Sequence, residues 1–136
     1  ATEGTYETDL IGAIAPYVDF TILKSTYDSF FETDLQQQIE TLHEGLHPIE
    51  TVLIVCGFVT HIVVASLAFR AAAMGYRVVV PSFLVGDFQR IHHNNFVQNV
   101  FPAWGVFVMK SEAEMADMLG LSKDAADRMR AKLKAV

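Results

Sequence analysis

Three stretches of the chain are almost unbroken in apolar residues, and their spacing sets the architecture. Residues 51–56 (TVLIVC) form a continuous apolar run, the pattern of a parallel strand buried on both faces, ended by Gly57. Residues 77–80 (RVVV) repeat it up to Pro81, and residues 105–109 (GVFVM) give another strand. A shorter group at 20–23 (FTIL) reads as a strand ending at Lys24. Between these runs the period changes to that of helices. Leu35, Ile39 and Leu42 recur at helical spacing behind Thr33 or Asp34 as cap and should face the core. Residues 60–74 are rich in small apolar side chains and stop at Gly75, a helix with a glycine terminator. Residues 91–100 predict a polar-faced helix. Ser111 with Glu114 three residues on is a capping box, and its helix breaks at Gly120. Leu10, Ile11 and Ile14 mark a short helical face before Pro16, and residues 122–134 predict a charged amphipathic tail helix.

Strands alternating with helices define an open parallel α/β sheet with helices on both faces. In such sheets the ligand crevice lies beyond the carboxyl ends of the strands. Three places therefore matter: Lys24, the 57–63 turn and the 81–87 segment. The 136 residues are enough for a single domain.

Composition narrows the function. Hydrophobic residues make up 51% of the chain, so it can form a core. Ten basic against sixteen acidic residues leave a net charge of −6, which argues against a nucleic-acid surface. One cysteine excludes an internal disulfide and a four-cysteine metal site. The longest apolar stretch, residues 62–74, is too short to span a membrane and contains Arg70. No signal peptide is visible, and the expectation is an intracellular protein of the cytoplasm or an organelle matrix.

Individual residues carry competing readings. Lys24 at a strand end can hold an anion or lower a nucleophile's pKa, or simply be solvated. The turn Phe58, Val59, Thr60, His61 can aim backbone N–H groups at an oxyanion, with Thr60 as helix cap rather than nucleophile. Cys56, inside an apolar strand, reads as inert packing. Asp87 and Arg90 can touch a ligand, or Asp87 can cap the 91–100 helix. Of the five histidines, His43 and His47 are separated by Gly45, and the adjacent His92 and His93 point in different directions. No metal site and no cofactor are expected.

These pieces, in this order, resemble the isochorismatase-like family of cysteine hydrolases over nearly the whole chain. Gly4 and Thr5 with Leu10 are similar to the family's Gly-Thr approach to a short helix. The block KSTYDSFFETDL at residues 24–35 resembles its Lys-x-x-x-(Ser/Asp)-x-Phe-x-x-Thr-x-Leu signature. Residues 51–60 resemble the strand that reaches its Gly-x-x-Thr turn, and Ala71, Gly75, Tyr76 and Val78 match Ala-x-x-x-Gly-Tyr-x-Val. The resemblance implies a Rossmann-like three-layer fold and a thiol amidase mechanism. In it an Asp acts as base, a Lys favours the charged forms, and a Cys attacks the amide carbon while turn N–H groups hold the oxyanion. It also implies a cis peptide in the turn, at Phe58–Val59.

Two departures from the family pattern follow. Three residues past Thr60 the nucleophile's position holds Val63, and Cys56 lies seven residues too early on the strand. The family's Asp belongs to a first strand that would lie upstream of Ala1, so the expectation is a domain incomplete at its amino end, with Lys24 the one remnant of the three. The sequence is similar to the Cys-less branch that hydrolyses isochorismate and related vinyl ethers, in which the Asp protonates the enol ether. Asp87, Phe88, Arg90 and His93 match that branch's Asp-Phe-x-Arg-x-x-His run, and His61 stands where it also has His. Three functions are then open. One is a small-molecule-binding domain that uses the old crevice. Another is a catalytically inactive domain serving as a structural or interaction subunit of a larger, oligomeric assembly. The last is a fragment of a split hydrolase whose Asp sits on another chain. In each case the resemblance implies a protein partner or complementary fragment covering the 51–56 strand, with Phe58, Val59, Thr60, His61 and Asp87 lining the old substrate space.

Overall fold

The computed structural model describes residues 12–43 and 45–121. The strands, all paired in parallel, are β1 (Val52–Ile54), β2 (Gly57–Phe58), β3 (Arg77–Pro81), β4 (Val85–Gly86) and β5 (Phe107–Met109). β1, β3 and β5 form one sheet in the order β1-β3-β5, and β2 and β4 pair separately. Val52 lies opposite Arg77 and Ile54 opposite Val79, while Val79 lies opposite Phe107 and Pro81 opposite Met109. The helices are α1 (Leu35–Leu42), α2 (Ala65–Ala73), α3 (Arg90–Asn95), α4 (Phe101–Ala103) and α5 (Glu112–Met118). This is the open parallel α/β arrangement that the apolar runs predict.

The central strand organises the core. Val78, Val79, Val80 and Pro81 of β3 are all buried, as the continuous apolar pattern requires. Ala65, Ala68 and Ala71 share one face of α2, and their small side chains let this helix pack against β3. Phe69, on the same helix, stacks on Trp104 at 4.7 Å between ring centroids and meets Phe101 at 5.8 Å. That aromatic layer joins α2 to the helical segment that follows β4.

Gly75 has φ +93°, a conformation costly for any residue with a Cβ. It lets the Tyr76 N–H reach the Ala71 carbonyl (3.1 Å) and its own N–H reach Ala72 (3.0 Å), which closes α2 and aims the chain into β3.

Several expectations need correction. Residues 20–23 form no strand: they pair with no ladder, and Phe20 and Leu23 are exposed. Three apolar residues and a threonine with no hydrogen-bonded neighbour among the described residues do not hold a strand. β1 is shorter than residues 51–56 and is not buried on both faces; Val52 is 46% and Ile54 38% exposed, because β1 lies at the edge of the described sheet. Leu42 is exposed, since α1 ends there, while Ile39 is buried. The 60–74 helix begins with a wider π turn over Thr60–Val64 before α2. Residues 90–103 run as α3, a π turn over Phe96–Val100 and α4, longer than the 91–100 helix expected. Ser111 does cap α5 by accepting from the Glu114 N–H, but Glu114 accepts from Lys110 N–H rather than closing the box on Ser111. Gly4, Thr5, Leu10, Ile11 and the 122–134 tail lie outside the described residues.

Candidate functional site

The site is built where β1 hands the chain to α2. Gly57, with φ +131°, turns the backbone out of the main sheet into the short β2–β4 pair. The Phe58–Val59 peptide that follows is cis, as the family resemblance implies. The Val59 carbonyl then accepts from both Ile62 and Val64 N–H groups and closes the first helical turn. Val59, not Thr60, is the N-cap residue of this turn.

Thr60 does something else. Fully buried, its hydroxyl donates to the Gly86 carbonyl at 2.8 Å and also lies 3.1 Å from His93 Nδ1. A carbonyl only accepts, so the single hydroxyl hydrogen is committed to Gly86. His93 Nδ1 must therefore carry the proton and donate to Thr60 Oγ1. Thr60 thus ties the turn to β4 and to α3.

His61 and Asp87 form a hydrogen-bonded pair at the centre of the candidate site. Asp87 Oδ2 accepts from the His61 backbone N–H at 3.1 Å and from His61 Nδ1 at 2.5 Å, and Oδ1 accepts from Gln89 N–H at 3.3 Å. The Asp87 side chain is fully enclosed. Burial alone pushes its pKa up, but the side-chain and backbone hydrogen bonds from His61 outweigh that, helped by Gln89 and by attraction to the His61 ring when it is protonated, and bring it from the usual 3.8 down to about 2. An ionised carboxylate only accepts, so His61 carries a hydrogen on Nδ1, and in the neutral ring Nε2 is then the nitrogen with the lone pair. The ring stacks on His92 at 4.4 Å and stays 25% exposed. Asp87 bonds the N–H of Gln89, the residue at the N-cap position of α3, and no N–H within the helix, so it does not cap the 91–100 segment.

The folded pKa of Asp87 lies below its ordinary value. Its contribution to stability is therefore present above about pH 4 and is lost as the pH falls from about 4 towards 2. Denaturation midpoints measured across pH 2–5 should fall along this slope, and Asp87→Asn should flatten the part that Asp87 supplies.

Phe58 and Phe88 meet edge to face at 4.7 Å between centroids, both exposed, beside the dyad. Val63 sits half-buried inside the π turn, flanked by buried Val64. Lys24 Nζ donates to the Tyr27 carbonyl (3.3 Å) and to Ser29 Oγ (3.1 Å) in its own loop. Partial burial lowers the Lys24 pKa, and Asp28 pulls it partway back. Cys56 is exposed just past β1, not packed within a strand. Among the described residues no group of three or more His, Cys, Asp or Glu is placed to hold a metal ion, and no helix is long and apolar enough to cross a membrane.

The structure thus brings Phe58, Thr60, His61 and Asp87 together, and adds His92 and His93. The two histidines do point apart, one stacking on His61 and the other bonding Thr60. Their partners lie about thirty residues back along the chain, so no local spacing reveals the contacts.

The parallel α/β sheet is Rossmann-like, and its strand-to-helix turn carries a cis peptide, a fully buried threonine and a carboxylate-anchored histidine. Residues 1–113 match the family model described as Isochorismatase domain, and the chain belongs to the isochorismatase family. It is 30% identical over 87 residues to the isochorismatase family protein YwoC of Bacillus subtilis (strain 168), covering 64% of this chain and 43% of that protein. It is 27% identical to the nicotinamidase SaPncA from Staphylococcus aureus, with a TM-score of 0.57 over 66% of this chain and 52% of the other. An isochorismatase-like hydrolase from Alkaliphilus metalliredigens shares the fold at 23% identity, with a TM-score of 0.70 over 85% of this chain and 60% of the other. The chain spans about half the length of the relatives it matches.

Proposed function

We propose that this chain is an isochorismatase-type domain in which the family's thiol amidase reaction, nicotinamide hydrolysis included, has been lost, and which works as a subunit whose β1 edge is covered by another polypeptide. The observation that carries this reading is the edge itself. Val52 and Ile54 are exposed on a strand whose neighbour β3 is buried along its apolar length. An apolar strand with one side unpaired among the described residues is a template for another strand. Val63 at the nucleophile's position supports the chemical half, because valine has no atom able to attack a carbonyl carbon.

A second reading, one fragment of a split vinyl-ether or amide hydrolase with its Asp on another chain, is favoured by the retained Lys24 and by the Asp87-to-His93 run. Both readings share the covered edge, and the same measurement tests it. The purified chain should self-associate or aggregate at micromolar concentration, and Val52→Lys with Ile54→Lys should return it to a monomer. Light scattering after size-exclusion chromatography reads the mass. A wild-type chain that runs as a well-folded monomer overturns the covered-edge proposal.

A further inference from the structure

The thiol position is empty of chemistry, yet the turn around it holds a complete acid–base pair. We propose that His61, oriented by Asp87, is a general base that activates water for hydrolysis of small carboxylic esters bearing a planar apolar group. The inference goes beyond the edge proposal and does not rest on it.

Three features carry it. First, Asp87 fixes both the position and the tautomer of His61. Its carboxylate takes the backbone N–H and the Nδ1 hydrogen of the same residue, so the ring cannot turn without breaking a bond to a fully enclosed side chain. Nε2 is left with its lone pair in the neutral ring. Second, the ring is clamped by stacking on His92 but remains one-quarter exposed, so solvent reaches it. A histidine kept only for packing needs no such opening. Third, Phe88, next to Asp87 in the chain, and Phe58, three residues before His61, are both exposed and form an edge-to-face pair that offers apolar aromatic surface to a ligand.

The reaction balances with water alone. His61 Nε2 takes one proton from a water molecule as its oxygen bonds to the ester's acyl carbon, and the carbonyl π electrons move to oxygen. As the carbonyl re-forms, the acyl carbon–alkoxy bond breaks. The departing alkoxide takes the proton back from Nε2, giving one carboxylic acid, one alcohol and the original neutral imidazole. Asp87 stays ionised throughout and acts as a positioning residue, holding the ring and stabilising the imidazolium that forms.

The probe is 4-nitrophenyl acetate, followed by release of 4-nitrophenolate from the wild-type chain. Saturable turnover above that of an equal concentration of free imidazole is expected. His61→Gln, which keeps the backbone N–H to Asp87, should lower kcat about 100-fold or more, with KM nearly unchanged. His61→Ala should regain part of the lost turnover with added imidazole, beyond the rate of imidazole alone, which a merely structural histidine would not do. Phe88→Ala should raise KM instead. Wild-type turnover no faster than free imidazole, His61→Gln turnover equal to wild type, or no rescue of His61→Ala would each overturn the proposal.

Discussion

Replacing Phe101 with alanine is expected to destabilise the domain by about 3–5 kcal/mol, enough to unfold much of a protein of ordinary marginal stability. Phe101 is fully buried and meets Phe69 at 5.8 Å and Phe96 at 5.7 Å between ring centroids. Its carbonyl also receives the N–H groups of Trp104 and Val106, which turn the chain into β5. Removing the ring leaves a cavity where α2, α4 and the sheet converge, which the surroundings fill only in part. Phe88, 82% exposed, makes the control. Phe88→Ala loses only the edge contact with Phe58 and should cost about 1 kcal/mol or less. Urea denaturation of the three proteins measures the difference directly. Equal losses for both variants would mean that the aromatic layer is not the core.

The contrast between these two phenylalanines marks what the sequence makes legible. Continuous apolar runs located β3 and β5, and a run of small residues ended by glycine located α2. Those signals survive because burial on both faces and a left-handed terminator each leave a local mark. Whether a run sits at a sheet's centre or edge leaves none. RVVV at 77–80 and TVLIVC at 51–56 look alike, but β3 has two neighbours and β1 has one among the described residues. The FTIL group at 20–23 fails for a related reason: a strand is defined by a partner, which periodicity within the segment cannot supply. The site divides in the same way. The turn from Phe58 to His61, its cis bond and the valine at 63 follow from order along the chain and from the family resemblance. The bonds that make the site, His61 to Asp87 across 26 residues and Thr60 to His93 across 33, are set by the β2–β4 pairing and the packing of α3 on the turn. Cys56 is exposed rather than packed because β1 ends at Ile54, and a thiol one residue beyond the buried Val55 can face solvent there.

The other large effect concerns thiol chemistry at the turn. The wild-type chain should show no hydrolysis of nicotinamide above background, and Val63→Cys alone should not introduce it. A cysteine there would stand at the turn but would lack a base. Asp87 is bound to His61 and Gln89, and His61 itself lies only two positions away, where side chains on a helical turn do not face each other. A thiol without its base is mostly protonated at neutral pH and attacks an amide slowly. Joining Val63→Cys to a polypeptide that covers β1 and carries the family's Asp strand should instead give turnover. The gap between the two should be large, since losing a nucleophile or its base in a hydrolytic triad costs up to about 10⁶ in rate. The assay is ammonia release, with and without iodoacetamide. Iodoacetamide-sensitive turnover by the unmodified chain would make Cys56 the nucleophile and would place the family's turn incorrectly. Turnover by Val63→Cys alone would mean that a base within these 136 residues, with His61 the nearest, reaches position 63 after all.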